Sequence, residues 1–94
     1  MPEKIKFYKS NRANKKYKVD FKLGQNWFVV HFGDKRYEQY KDRTPLKLYK
    51  DQDHGDKKRR EKYLARAKGI KDKNGKLTKD NPLSPNYWAI RYLW

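Results

Sequence analysis

Between Lys57 and Lys68 the chain carries seven basic side chains and a single acid, Glu61. On a helical wheel Lys58, Arg59, Lys62 and Arg66 share one face, and Lys58, Lys62 and Arg66 recur at i, i+4 and i+8. With a rise of 1.5 Å per residue these cations stand about 6 Å apart, one per turn. That spacing can follow a phosphate backbone, where each contact gains from the counterions it releases. A helix charged only for solubility usually mixes both signs. Lys57 and Lys68 extend the run at its ends, and Lys71, Lys73 and Lys76 carry it into a loop where Asp72 and Asp80 partly compensate. A second basic cluster, Lys18 and Lys22 on the wet face of a strand and Lys15 and Lys16 in the loop before it, is open to the same phosphate reading, with edge protection of a sheet slightly favoured.

Aromatic rings among cations can stack on unpaired bases. Tyr37, Tyr40 and Tyr49 are the candidates, flanked by Lys35, Arg36, Lys41, Arg43 and Lys50; the alternative is that they serve as core. Metal chemistry finds little support. Asp51-Gln52-Asp53-His54-Gly55-Asp56 looks like a calcium loop at first, but its glycine comes one position early and its twelfth residue is Lys62. His31 and His54 have no zinc spacing. Catalysis fares no better: there is no cysteine, and Ser10 and Ser84 belong to a loop and a helix cap. No phosphate-binding glycine loop is present. The expectation is a non-enzymatic protein with no cofactor and no metal.

These side chains need a scaffold. Lys4 to Tyr8 reads as a strand with Ile5 and Phe7 on one face. From Tyr17 to Leu23 apolar and charged residues alternate, the mark of a strand with one wet face. Gly24-Gln25-Asn26 makes a tight connection, and the apolar run Trp27 to Phe32 suits a central strand. Gly33-Asp34 ends the sheet. Lys35 to Lys50 reads as an irregular segment laid across it, anchored by Tyr37, Tyr40, Leu46, Leu48 and Tyr49. Asp56 is the expected N-cap of the basic helix and Gly69 its stop. Tyr63, Leu64 and Ala67 form its apolar face. Arg60 falls on that side too, and must snorkel, stack on a ring or find a carboxylate. Ser84-Pro85 starts a last helix, with Tyr87, Ile90 and Trp94 sharing a face and Trp88 and Tyr92 beside it. The expected fold is therefore α+β: a small antiparallel β-meander of about three strands, packed with a basic helix and a short apolar C-terminal helix, in one domain spanning residues 1–94.

Composition agrees with a polyanion partner. The net charge is +15, with 39% of residues charged. Such an excess opposes compaction but draws anions in. Aliphatics are sparse, so aromatic residues, 16% of the chain, must build the core; each ring buries roughly 150–250 Å². The N-terminus leads into no apolar h-region, so no secretory signal is expected, and no apolar run reaches the roughly 18 residues of a membrane span.

Three stretches carry a resemblance: His31-Phe32-Gly33 with Tyr37 and Tyr40; Asp56-Lys57-Lys58-Arg59-Arg60 with Tyr63-Leu64-Ala65-Arg66; and Trp88 with Tyr92-Leu93-Trp94. Together, over about residues 28 to 94, they resemble a family of small, basic, uncharacterised proteins of large DNA viruses of algae and protists. The chain departs from that pattern at Ala67, where histidine is usual, and in the longer Lys71 to Lys79 linker. The resemblance implies a viral protein of the virion or the infected host cell, in cytoplasm or nucleus and not secreted. Two partners fit: nucleic acid, DNA ahead of RNA, for a genome-contacting protein; or the acidic surface of a capsid protein, for a minor capsid or cement protein. The aromatic C-terminal helix offers a surface for oligomerisation.

Overall fold

From Lys16 to Leu23 charged and apolar side chains alternate, and the backbone follows that period into an extended strand. The computed structural model describes residues 2–94. At its centre lies β2 (Lys15–Leu23), paired antiparallel with β1 (Glu3–Lys9) on one side and β3 (Asn26–Asp34) on the other. Tyr17, Val19 and Phe21 are buried on one face and stand opposite Phe32, Val30 and Phe28. Gly24, at φ +59°, takes the first corner of the two-residue β2–β3 turn, the glycine position of a type II′ hairpin.

The strand order β1-β2-β3 corrects one expectation: Trp27 to Phe32 belongs to an edge strand, not a central one. Trp27 and Val29 are more than half exposed, at 54% and 55%, while Val30 and Phe32 go into the core. An unbroken apolar run does not reveal how many faces are covered. In β1 the register slips between Glu3 and Lys6, so Phe7 reaches the core edge while Ile5 remains exposed. β2 also starts earlier than expected, and Lys15 and Lys16 lie in the strand rather than in the preceding loop.

Two helices complete the α+β fold, α1 (Lys57–Ala67) and α2 (Pro85–Tyr92). The Ser84 hydroxyl accepts from the Asn86 N–H at 3.3 Å, with Pro85 in the first turn. Trp88, Ala89 and Leu93 form the buried side of this region, against the sheet. The expected face of Tyr87, Ile90 and Trp94 is only half-buried. The helix ends at Tyr92, so Leu93 and Trp94 no longer follow its wheel. Phe7 and Phe21 receive the Trp88 ring at centroid distances of 6.1 and 5.0 Å, and its indole N–H donates to the Pro82 carbonyl at 2.7 Å. The rings of α2 are thus largely spent on the protein's own core.

The segment from Lys35 to Asp56 is irregular apart from a 3₁₀ turn at Lys50–Gln52. It is tied to the end of α2 by Lys41 N–H to Leu93 O (3.1 Å) and Arg43 N–H to Tyr92 O (2.8 Å). Of its five expected anchors Tyr40 and Tyr49 are half-buried, Tyr49 against the core, but the other three are not anchors. Tyr37, Leu46 and Leu48 are exposed, whereas Gln39, Asp42 and Thr44 are buried. Polar side chains fix this segment because its backbone, outside any ladder, needs partners for its own N–H and C=O groups.

Candidate functional site

Asp56 sets the start of α1: its carboxylate accepts from the N–H groups of Lys58 (2.9 Å) and Arg59 (3.2 Å). Three contacts set its rotation. Ala67 is buried. Tyr63 stacks on Trp94 with centroids 4.0 Å apart and planes 8° from parallel. Arg60, the cation on the apolar side, donates to the Trp94 carbonyl at 2.7 Å and lies over the Tyr40 ring at 5.1 Å. With that side held down, Arg59, Lys62 and Arg66, at i, i+3 and i+7, turn toward the open end of the β2–β3 ladder.

There they border a cleft of about 780 Å³ between α1, the Lys15–Asp34 end of the sheet and the start of α2. Lys15 supplies a cation from the strand side, and Tyr37 stands at the edge, 65% exposed. The walls between them are largely apolar, formed by Tyr63, Ile70, Ala89, Leu93 and Trp94. Gly33 makes the turn of the floor. At φ +79° it is in the region that favours glycine, and a Cβ there would come within 2.9 Å of the Leu93 side chain.

The two acids at the cleft are already engaged. Asp34 receives a forked contact from Arg36, Nε at 3.1 Å and Nη2 at 2.8 Å, and these bonds pull its pKa down to about 2. Glu38 pairs with Arg59 at 3.0 Å. Among the described residues Lys15, Lys62 and Arg66 have no carboxylate within 4 Å. The cleft therefore presents three uncompensated cations around apolar walls, and can accept an anionic group attached to a flat or apolar body.

Beneath it lies a second charged cluster that sequence reasoning missed. Lys16, 1% exposed, donates to the Gln39 side-chain carbonyl and to the Tyr37 backbone carbonyl at 2.8 Å. Gln39 in turn donates to Tyr49 O (2.7 Å) and to Asp53 (2.6 Å). Asp42 accepts from the Tyr17 hydroxyl, from the Thr44 hydroxyl at 2.6 Å, and from the Thr44 and Tyr49 N–H groups at 3.0 and 3.2 Å. Burial lowers the Lys16 pKa to about 8 against the opposing pull of Asp42, Asp34 and Asp53. Burial, and the hydrogen bond to Asp42, raise Tyr17 to about 12.

The remaining candidates are scattered. Lys58 is exposed on α1 but does not border the cleft, and Lys57 and Lys68 sit exposed at the helix ends. Lys71, Lys73 and Lys76 are exposed on a small turn closed by a Lys71–Leu77 bridge, where Asp72 accepts from the Asn74 and Lys76 N–H groups. Tyr40 lies between Arg43 and Arg60, and Tyr49 stands edge-on to Tyr17 in the core. Of the three candidate stacking rings, Tyr37 is the one at the cleft. Of the second basic cluster, Lys15 reaches the cleft through its pairing with Asp34, which the sequence does not display. Among the described residues no three His, Cys, Asp or Glu side chains gather as a metal site. Asp53 and Asp56 act instead as hydrogen-bond acceptors for the backbone.

The architecture defines an α+β class: a three-stranded antiparallel meander with one helix on its core face and a basic helix at its end. Residues 5–67 match the family of unknown function DUF5754, and the chain belongs to that family. The match takes in the sheet, the crossing segment and α1, and stops short of α2. No curated protein and no solved structure matches the chain. No helix is long and apolar enough to cross a membrane among the described residues.

Proposed function

We propose that this chain is a non-enzymatic, sequence-nonspecific nucleic-acid-binding protein that holds phosphates with the cations of α1 and β2. One observation carries the reading: Lys15, Lys62 and Arg66 converge on one cleft whose acids are already neutralised by Arg36 and Arg59. Arg59 borders the same cleft but is paired with Glu38, and is not counted among the free cations. The resemblance to proteins of large DNA viruses supports work in or around a virus particle in the infected cell, on DNA ahead of RNA.

The test is a salt titration of a labelled oligonucleotide. Log affinity should fall against log salt with a slope near 0.7 per phosphate contact for a single strand and 0.9 for a duplex. Three contacts give a slope of about 2 to 3. Absence of binding at low salt, or a flat salt dependence, rejects the reading. A second reading, a minor capsid or cement protein on an acidic capsid surface, draws support from the exposed Trp27 and Val29 of edge strand β3. That reading predicts cosedimentation with capsid shells that Trp27→Ser abolishes, without affinity for oligonucleotides.

A further inference from the structure

The cleft's shape speaks to the kind of nucleic acid. Its cations face inward, across a recess, toward the strand ends and α2. The outward side of α1 offers Lys58 beside Glu61 and Ala65, with Lys57 and Lys68 only at the helix ends, a row of cations interrupted by an acid. A helix that reads a duplex lies in its major groove and projects its side chains outward to the base edges. Here a duplex would have to pass its phosphates into a concavity, whereas a single strand can bend one nucleotide in. The volume, about 780 Å³, lies within the range of roughly 300–1,000 Å³ that suits small, compact ligands.

The walls point the same way. A bare phosphate or a carboxylate side chain would satisfy Lys15, Lys62 and Arg66 and leave the exposed Tyr37 ring and the half-exposed Ile70 side chain without a partner. A nucleotide supplies both parts, an anion and a flat ring. At the mouth, Tyr37 carries the Arg36 guanidinium 5.6 Å from its ring centroid, and 65% of the residue remains open. Arg36 is held by its fork to Asp34, and Tyr37 is held through its carbonyl by Lys16. The ring is therefore exposed on a backbone that Lys16 holds, beside a guanidinium that Asp34 holds, where a base can stack on it.

We infer that the cleft seats one nucleotide of an unpaired strand, its phosphate among Lys15, Lys62 and Arg66 and its base against Tyr37. This rests on the phosphate-binding reading above and adds strandedness to it. The decisive experiment compares labelled oligothymidylate with a duplex of equal length, by fluorescence anisotropy at one salt concentration, for the wild-type chain, Tyr37→Ala and Tyr37→Phe. The single strand should bind at least tenfold tighter than the duplex. Tyr37→Ala should lower single-strand affinity about tenfold, in keeping with loss of one base–aromatic stack, and leave duplex affinity within about twofold; Tyr37→Phe should retain it. Equal affinity for both probes, or a Tyr37→Ala chain that binds the single strand normally, overturns the inference while a steep salt slope leaves phosphate binding standing. Loss of salt dependence with both probes overturns phosphate binding itself. Unchanged thermal melting of Tyr37→Ala separates either outcome from misfolding.

Discussion

Lys15 and Lys16 are neighbours in sequence and belong to two clusters built in opposite ways. Around Lys16 every strong charge has a partner inside the fold: Gln39, Asp53 and Asp42 link it to Tyr17, Thr44 and the backbone of the crossing segment. Around Lys15 the acids are consumed by Arg36 and Arg59, and Lys62 and Arg66 have no carboxylate partner. The inner cluster uses polarity to hold irregular backbone in place. The outer one leaves charge unspent where a ligand can reach it. Residue type alone does not separate the two roles; burial and partners do.

The largest effect expected of that difference is on stability. Asp42→Ala strands the Tyr17 and Thr44 hydroxyls and two backbone N–H groups in a buried site. Leaving such groups unpaired costs about 3 kcal/mol in total, measurable as a shift of the urea midpoint at unchanged slope. The variant that remains folded should keep its oligonucleotide affinity. If affinity falls as far as stability, the two clusters are not separable.

A smaller effect follows from pH. Lys16 has a folded pKa of about 8 against an ordinary 10.5. Below pH 8 it is charged in both states and its burial opposes folding in full. Between about 8 and 10.5 the unfolded chain holds a proton that the folded chain has released, so stability rises with pH. Tyr17, raised from 10.0 to about 12, acts in the other direction, and its contribution is lost as pH climbs from 10 to 12. Stability should therefore peak near pH 10, after a rise of about 2 kcal/mol. Lys16→Met should flatten that rise; an unaltered profile would mean that Lys16 is not the group responsible.

Much of the scaffold can be read from sequence because it rests on local rules. The period-two pattern from Tyr17 to Leu23 marks β2, and Asp56 marks the start of α1, since each needs only neighbouring residues. Strand order does not follow from such rules, nor does the covering of faces: Trp27 and Val29 are exposed because no layer covers their face of β3, while Val30 and Phe32 point into the core. Lys16 lies on the wet parity of β2 yet is buried, because Gly33 opposite leaves room and the Tyr37 to Asp53 segment folds over it. Gln39, Asp42 and Thr44 sit where no periodicity exists to flag burial. For the site, the wheel collected Arg59, Lys62 and Arg66 correctly onto one side of α1. It could not tell that Lys58 lies outside the cleft or that Lys15, far away in sequence, completes its rim.

The smallest effect on stability, and the most informative on binding, comes from the rim itself. Lys62→Gln with Arg66→Gln should change unfolding free energy by less than about 0.5 kcal/mol, as exposed substitutions do. In the same chain the slope of log affinity against log salt for a single-stranded oligonucleotide should shrink by about 1.4, two contacts at 0.7 each. A doubly substituted protein whose salt slope equals that of the wild type would contradict the assignment of these cations to phosphate.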